Sequence, residues 1–171
     1  MNLIDKIDKR DLRELITKGW MTHDAMWFYH TLQEFGIEKT NKINLAAVQS
    51  MSMIEAKRLK KAAGMKKETV DSFEEFKDLM ESFFSLVKVD FMDFYWSSPE
   101  KNLFLWGYHK CWAHDGISKL GVIDKYQCGV ILRVTTWFET LGVAYCVKPE
   151  CKGCLLHTIG KCAGEFRFSL P

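Results

Sequence analysis

Proline is scarce in this chain. There are three in 171 residues, and none lies in a stretch with helical periodicity, so nothing forces long helices to break early. Charge of one sign is also missing: 24 basic against 22 acidic side chains leave a formal net charge of +2, and a nucleic-acid partner gains no support from global electrostatics. No run reaches the ~18 apolar residues of a membrane span. The opening MNLIDKIDKRDLREL carries charge from residue 5 onward and holds no apolar leader stretch. The chain shows no repeat, no low-complexity tract, no phosphate-binding loop and no helix-turn-helix signature. These absences point to a cytoplasmic chain with neither a membrane nor a nucleic-acid partner.

What is present is globular. Hydrophobic residues make up 47%, enough for a core without disulfides at this length. The first two-fifths reads as helix: residues 8 to 18, then 20 to 35 with a stop at Gly36, then about 41 to 63 with a stop at Gly64. The basic residues from Lys57 to Lys67 sit at that last helix end, where cations suit the helix dipole. Ser72-Phe-Glu-Glu75 is a capping box, and Phe73, Phe76, Leu79, Met80, Phe83 and Phe84 follow at helical spacing.

Beyond residue 86 the character changes. Runs 87–96 and 103–109 are rich in β-branched and aromatic residues and flank a turn-forming stretch, which predicts a hairpin. A short helix is expected over 112–120, ending at Gly121. A second capping pattern, Asp124 to Gln127, predicts a helix to Leu141 with Val130, Val134, Trp137 and Leu141 as its inward stripe. Strands are expected over 143–147 and, from strict alternation, 165–170. The fold class predicted is α+β: N-terminal helices (1–86) packed on a mostly antiparallel sheet, with a C-terminal cysteine metal loop (87–171), in one domain spanning 1–171.

Six cysteines in a reducing compartment argue for metal or catalysis over disulfides. Cys151-Lys-Gly-Cys154 spaces two thiols so that a tight turn can aim both at one ion. Cys162 follows just before the last strand, and Cys128 at a helix start supplies a fourth ligand. Cys146 and His157 are the alternatives for that place. Zinc suits such a set, with an iron–sulfur cluster as the alternative. Cys111 beside His109 or His114 offers a nucleophile pair in principle, but without a catalytic signature it reads as a structural cysteine, and no catalytic residue is assigned.

The order Cys128, a helix containing Trp137, Glu150-Cys-Lys-Gly-Cys154 and Cys162 after seven residues resembles the four-vinyl-reductase, or hydrocarbon-binding, domain. It is most like the sensory domains of phenol-responsive transcriptional activators. That resemblance implies zinc beside a buried aromatic ligand. Cys151 stands where those domains carry an acidic ligand, which implies an all-sulfur site of Cys128, Cys151, Cys154 and Cys162. The rest of the chain is similar to an uncharacterised family related by name to the 2-amino-thiazoline-4-carboxylate hydrolases. His23-Asp-Ala-Met-Trp27-Phe28, Glu55-Ala-Lys-Arg58, Tyr126-Gln-Cys128 and Phe166-Arg-Phe168 carry that likeness. The family's Cys-Pro-Pro after the third ligand is replaced here by Cys154-Leu-Leu156, which alters the loop and not the ligands.

The function expected is therefore a zinc-holding module that binds a small hydrophobic or aromatic molecule in an internal cavity, met by Trp27, His30, Trp106 and Tyr108. A small thiazoline-type hydrolase is the alternative. A homodimer is one association state the sequence allows.

Overall fold

A computed structural model describes residues 2–171. The chain begins with a single 3-10 turn, Leu3–Asp5, and then enters α1, Lys9–Ala62. Asp8 caps α1, its carboxylate accepting from the Asp11 N–H at 2.8 Å. Helical geometry runs unbroken through Gly19, so the expected division at residue 19 is absent; one interior glycine costs only about 1 kcal/mol against alanine.

Gly36 is the real break. Its φ of 72° lies in the left-handed region, where glycine is at home and other residues are strained. Helix resumes directly after it, earlier than the expected residue 41. Two contacts show that the chain reverses there. The Arg133 guanidinium lies 5.0 Å from the Trp20 ring, which precedes Gly36, and bonds Glu55, which follows it. In a straight helix those two residues would stand about 50 Å apart. The arms of α1 therefore form a helical hairpin. Its outward face is uncovered: Leu15 and Ile16 are more than half exposed.

The expected capping box opens α2, Phe73–Val87. The Ser72 hydroxyl accepts from the Glu75 N–H at 3.2 Å, while the Glu75 carboxylate reaches back one residue further, to the Asp71 N–H at 2.9 Å. Strands β1 (Asp93–Ser97) and β2 (Leu103–Lys110) make the expected hairpin. Residues 87–92, expected as strand, lie outside it. Helices α3 (Trp112–Lys119) and α4 (Gly129–Thr140) follow, then β3 (Tyr145–Lys148), a one-turn helix α5 (Leu155–Ile159) and β4 (Cys162–Phe168). The sheet is antiparallel throughout, in the order β1-β2-β4-β3. The protein is thus an α+β fold.

The Asp124–Gln127 pattern does not start α4; Cys128 is the N-cap. The segment before it is held off helix by side-chain bonds from α1, described below. Val134, Trp137 and Leu141 of the expected stripe do face inward, with Trp137 1% and Leu141 0% exposed, while Val130 at its start is only half-buried. Phe76 of α2 stacks on Phe104 of β2 at 5.4 Å, and Phe138 of α4 meets Phe166 of β4 at 5.1 Å. Aromatic rings from two helices thus fill the space above the sheet with one another.

Candidate functional site

Five of the six cysteines meet at one small cavity. Cys111, Cys128, Cys151, Cys154 and Cys162 line it together with Tyr108, His114, Tyr126, Val130, Ile131 and Leu155. The space left inside for a water-sized sphere is about 10 Å³. That is at the threshold for a single water molecule, so the cavity has room for one ion and no room for an aromatic ring.

Each cysteine arrives from a different piece of the fold. Cys128 is fixed from α1. The buried Asn41 amide donates to the Lys125 carbonyl at 2.7 Å, and its oxygen accepts from the Gln127 N–H at 3.2 Å. The Tyr126 hydroxyl then accepts from the Gly129 N–H at 3.2 Å. A side chain on Gly129 would meet Val48 at 3.2 Å and Asn44 at 3.3 Å, so glycine lets the start of α4 sit against α1. Cys162 opens β4 opposite Tyr108 of β2, just after Gly160 ends α5 with φ of 70°. Cys154 caps α5, its carbonyl accepting from the Thr158 hydroxyl at 3.1 Å. Cys151 lies in the loop after β3, with its sulfur 3.4 Å from the Pro149 carbonyl oxygen. Cys111 caps α3.

The surroundings are hostile to bare thiolates. Burial first, and then the Cys111 sulfur among its neighbours, pushes the Cys128 thiol up to about 11 despite the Ile131 and Val130 N–H groups. Burial and then Cys128 push Cys151 up to about 12, and burial followed by Cys111, Cys128, Cys154 and Cys151 does the same to Cys162. The Cys111 thiol is also raised by burial. Such shifts keep the thiols protonated at neutral pH unless a cation compensates the charge. As placed, no group of three or more His, Cys, Asp or Glu side chains among the described residues converges closely enough to hold a metal. Closure on an ion requires the sulfurs that ring the cavity to turn inward.

The four residues expected as metal ligands are brought together. The alternatives are not: Cys146 is exposed on β3 and His157 is exposed on α5, and neither lines the cavity. Of the four residues expected around an organic ligand, Tyr108 alone lines it. Trp27 is 65% exposed on α1, where its indole N–H donates to His23 at 3.0 Å. His30 is exposed beside Tyr29. Trp106 is buried, stacked on Phe166 at 5.5 Å. His109 points away, 3.1 Å from Asp93, while His114 lines the cavity and lies 3.1 Å from Asp115. No side-chain hydrogen bond joins Cys111 to either imidazole among the described residues, and a thiol raised by burial is the reverse of an activated nucleophile.

Sequence reasoning missed that Cys111 belongs to the cluster. The available signal was position: Cys111, Cys128 and Cys154 each immediately precede a helix.

Fold and site together define an α+β domain with a cysteine-lined centre between its sheet and its helix starts. The model of the family of unknown function DUF6125 matches residues 4–93, and the chain belongs to that family. The match spans the helical hairpin, α2 and the first residue of β1, so every cysteine lies outside it. No curated protein and no solved structure matches the chain.

Proposed function

We propose that this protein binds a soft metal ion, zinc first, through cysteine thiolates at the junction of β2, β4 and the helix starts. One observation carries the reading: five sulfurs from five separate positions in the fold line a single ion-sized space. Burial of isolated cysteines is ordinary, since the residue behaves as a small hydrophobe. Gathering five at one point is not what packing alone selects, because leucine or valine would fill the space without raised thiols. Soft sulfur donors in a closed apolar shell favour zinc or iron.

The role that follows is structural. A site with four sulfur ligands leaves zinc no open position for water, and here it would tie together α4, β4 and the loop after β3. The cavity's volume lends no support to an enclosed aromatic ligand, so the proposal is the narrower one.

Metal analysis of protein purified without chelators tests it. The expected result is about one zinc per chain. Cys154→Ser should lower metal content and melting temperature together, and Cys146→Ser neither. Brown protein with acid-labile sulfide would replace zinc by an iron–sulfur cluster. Wild-type protein that contains neither metal and gains no stability from added zinc would defeat the reading.

A further inference from the structure

We propose that Cys111, which the Cys151-Lys-Gly-Cys154 pattern leaves out, is a metal ligand: it forms the inner sulfur set with Cys128, Cys154 and Cys162, while Cys151 is an outer, exchangeable fifth sulfur. The inference rests on the metal reading above and changes which residues carry it.

Position is the first argument. Cys111, Cys154 and Cys162 are each 8% exposed; Cys128 and Cys151 are both half-buried, but Cys128 starts α4 whereas Cys151 lies in a loop whose neighbours Glu150 and Lys152 pair in solvent at 3.2 Å. Three of the proposed inner four share one local geometry. Cys111, Cys128 and Cys154 are N-caps with extended backbone, at φ/ψ of −117/111°, −70/107° and −82/107°. None makes the side-chain hydrogen bond that a serine or aspartate cap would make. The cap position leaves these thiols at helix starts, where the N–H groups of Ala113 and His114 beside Cys111, and of Val130 and Ile131 beside Cys128, favour a thiolate.

The sulfurs also differ in which neighbours they face. Cys162 feels Cys111, Cys128 and Cys154 ahead of Cys151, and Cys128 feels Cys111 and Cys154. Cys151 has only Cys128 and, more weakly than the others, Cys162 as sulfur neighbours, and it rests near the Pro149 carbonyl oxygen, 3.4 Å away. The four other thiols that line the cavity are enough for a tetrahedral zinc set without it. A fifth thiol at the rim can then trade places with an inner one, because thiolate-for-thiolate exchange leaves the charge at the metal unchanged.

Cys111→Ala and Cys151→Ala separate the two assignments. Zinc affinity is measured by chelator competition, and the thiolate count by the sulfur-to-metal charge-transfer intensity of cobalt(II)-loaded protein. Cys151→Ala should keep full zinc and the four-thiolate spectrum. Cys111→Ala should lose about a hundredfold or more in zinc affinity and give a weaker, three-thiolate spectrum. Impairment of Cys151→Ala alone, or of both variants alike, overturns the proposal while leaving the metal reading intact. Should Cys111→Ala be insoluble, iodoacetamide mapping of zinc-loaded wild type decides. Alkylation is expected at Cys146 and Cys151, with Cys111 becoming reactive once EDTA removes the metal. Protection of Cys151 by zinc, or a Cys111 equally protected with and without it, overturns the assignment. Wild-type protein that takes up neither zinc nor cobalt instead defeats the underlying reading.

Discussion

Glu55 on the second arm of α1 accepts three hydrogen bonds from α4: two from Arg133, at 2.8 and 2.6 Å, and one from the Trp137 indole at 3.0 Å. The same guanidinium lies over Trp20 of the first arm. One ion pair, with both side chains less than a fifth exposed, therefore holds both arms of the helical hairpin to the helix that begins at Cys128.

Glu55→Ala should destabilise the fold by about 3 kcal/mol, because it strands a largely desolvated guanidinium as well as the Trp137 N–H. Glu55→Gln keeps one acceptor for these donors and should cost less. Chemical denaturation checks the order. Equal, small effects from both would show that Arg133 finds solvent when its partner is gone.

Asn41 governs the approach to Cys128. Asn41→Ala removes both bonds to residues 125 and 127 and leaves their backbone groups without that partner, which should cost about 1–3 kcal/mol. Metal retention should fall in the same variant, since the Cys128 sulfur would no longer be held over the cavity. Thermal unfolding with and without chelator measures both effects. A variant as stable as wild type would mean that Tyr126 and Gly129 fix the segment alone.

Much of this architecture was legible in local chemistry. Gly36, the Ser72–Glu75 box and the alternation around Phe166 and Phe168 each encode their geometry within a few residues. That Cys151, Cys154 and Cys162 would lie together was legible because their spacing is itself local. What escaped depends on distant contacts. The Asp124–Gln127 pattern looks like a cap, but the buried Asn41, more than eighty residues earlier, binds that segment's backbone first. Cys111 was separated from its cluster by the same limit, because only the β2–β4 register brings the end of β2 to Cys162. Trp27 and His30 failed to reach the hairpin residues because helical periodicity fixes a shared face, not what covers it.

Gly164 is required by a close approach in the sheet. A methyl group there would collide with the Lys148 carbonyl oxygen and meet Trp106 at 2.9 Å and Pro149 at 3.0 Å. The obstacle on one side is backbone, which cannot turn aside. Gly164→Ala should therefore cost about 1–3 kcal/mol or more by overpacking. Since Cys162 lies two residues upstream, metal affinity should fall with stability. Gly19→Ala, where nothing stands within 4 Å, is the control and should be neutral or slightly stabilising. Similar losses at both positions would remove the steric explanation.

The raised thiols give the metal-free protein a distinctive pH dependence. An unfolded cysteine ionises near about 8.5, whereas burial, more than the neighbouring sulfurs, raises Cys128 to about 11 and Cys151 and Cys162 to about 12 in the fold. A group whose folded value is raised contributes stability that is complete below its unfolded value and is lost as pH climbs towards the folded one. The metal-free fold should accordingly weaken from about pH 8.5 upward, as the unfolded chain gives up protons that the folded chain retains. With zinc bound the sign reverses: the thiolates are then the folded form, and binding at neutral pH releases about one proton per ligand, so affinity rises with pH. Melting temperatures measured from pH 7 to 10 should fall for the chelator-treated protein and stay level or rise for the zinc-loaded one. Parallel curves for the two samples would show that the buried sulfurs do not hold the metal, and level curves for both that they do not set the alkaline limit of the fold.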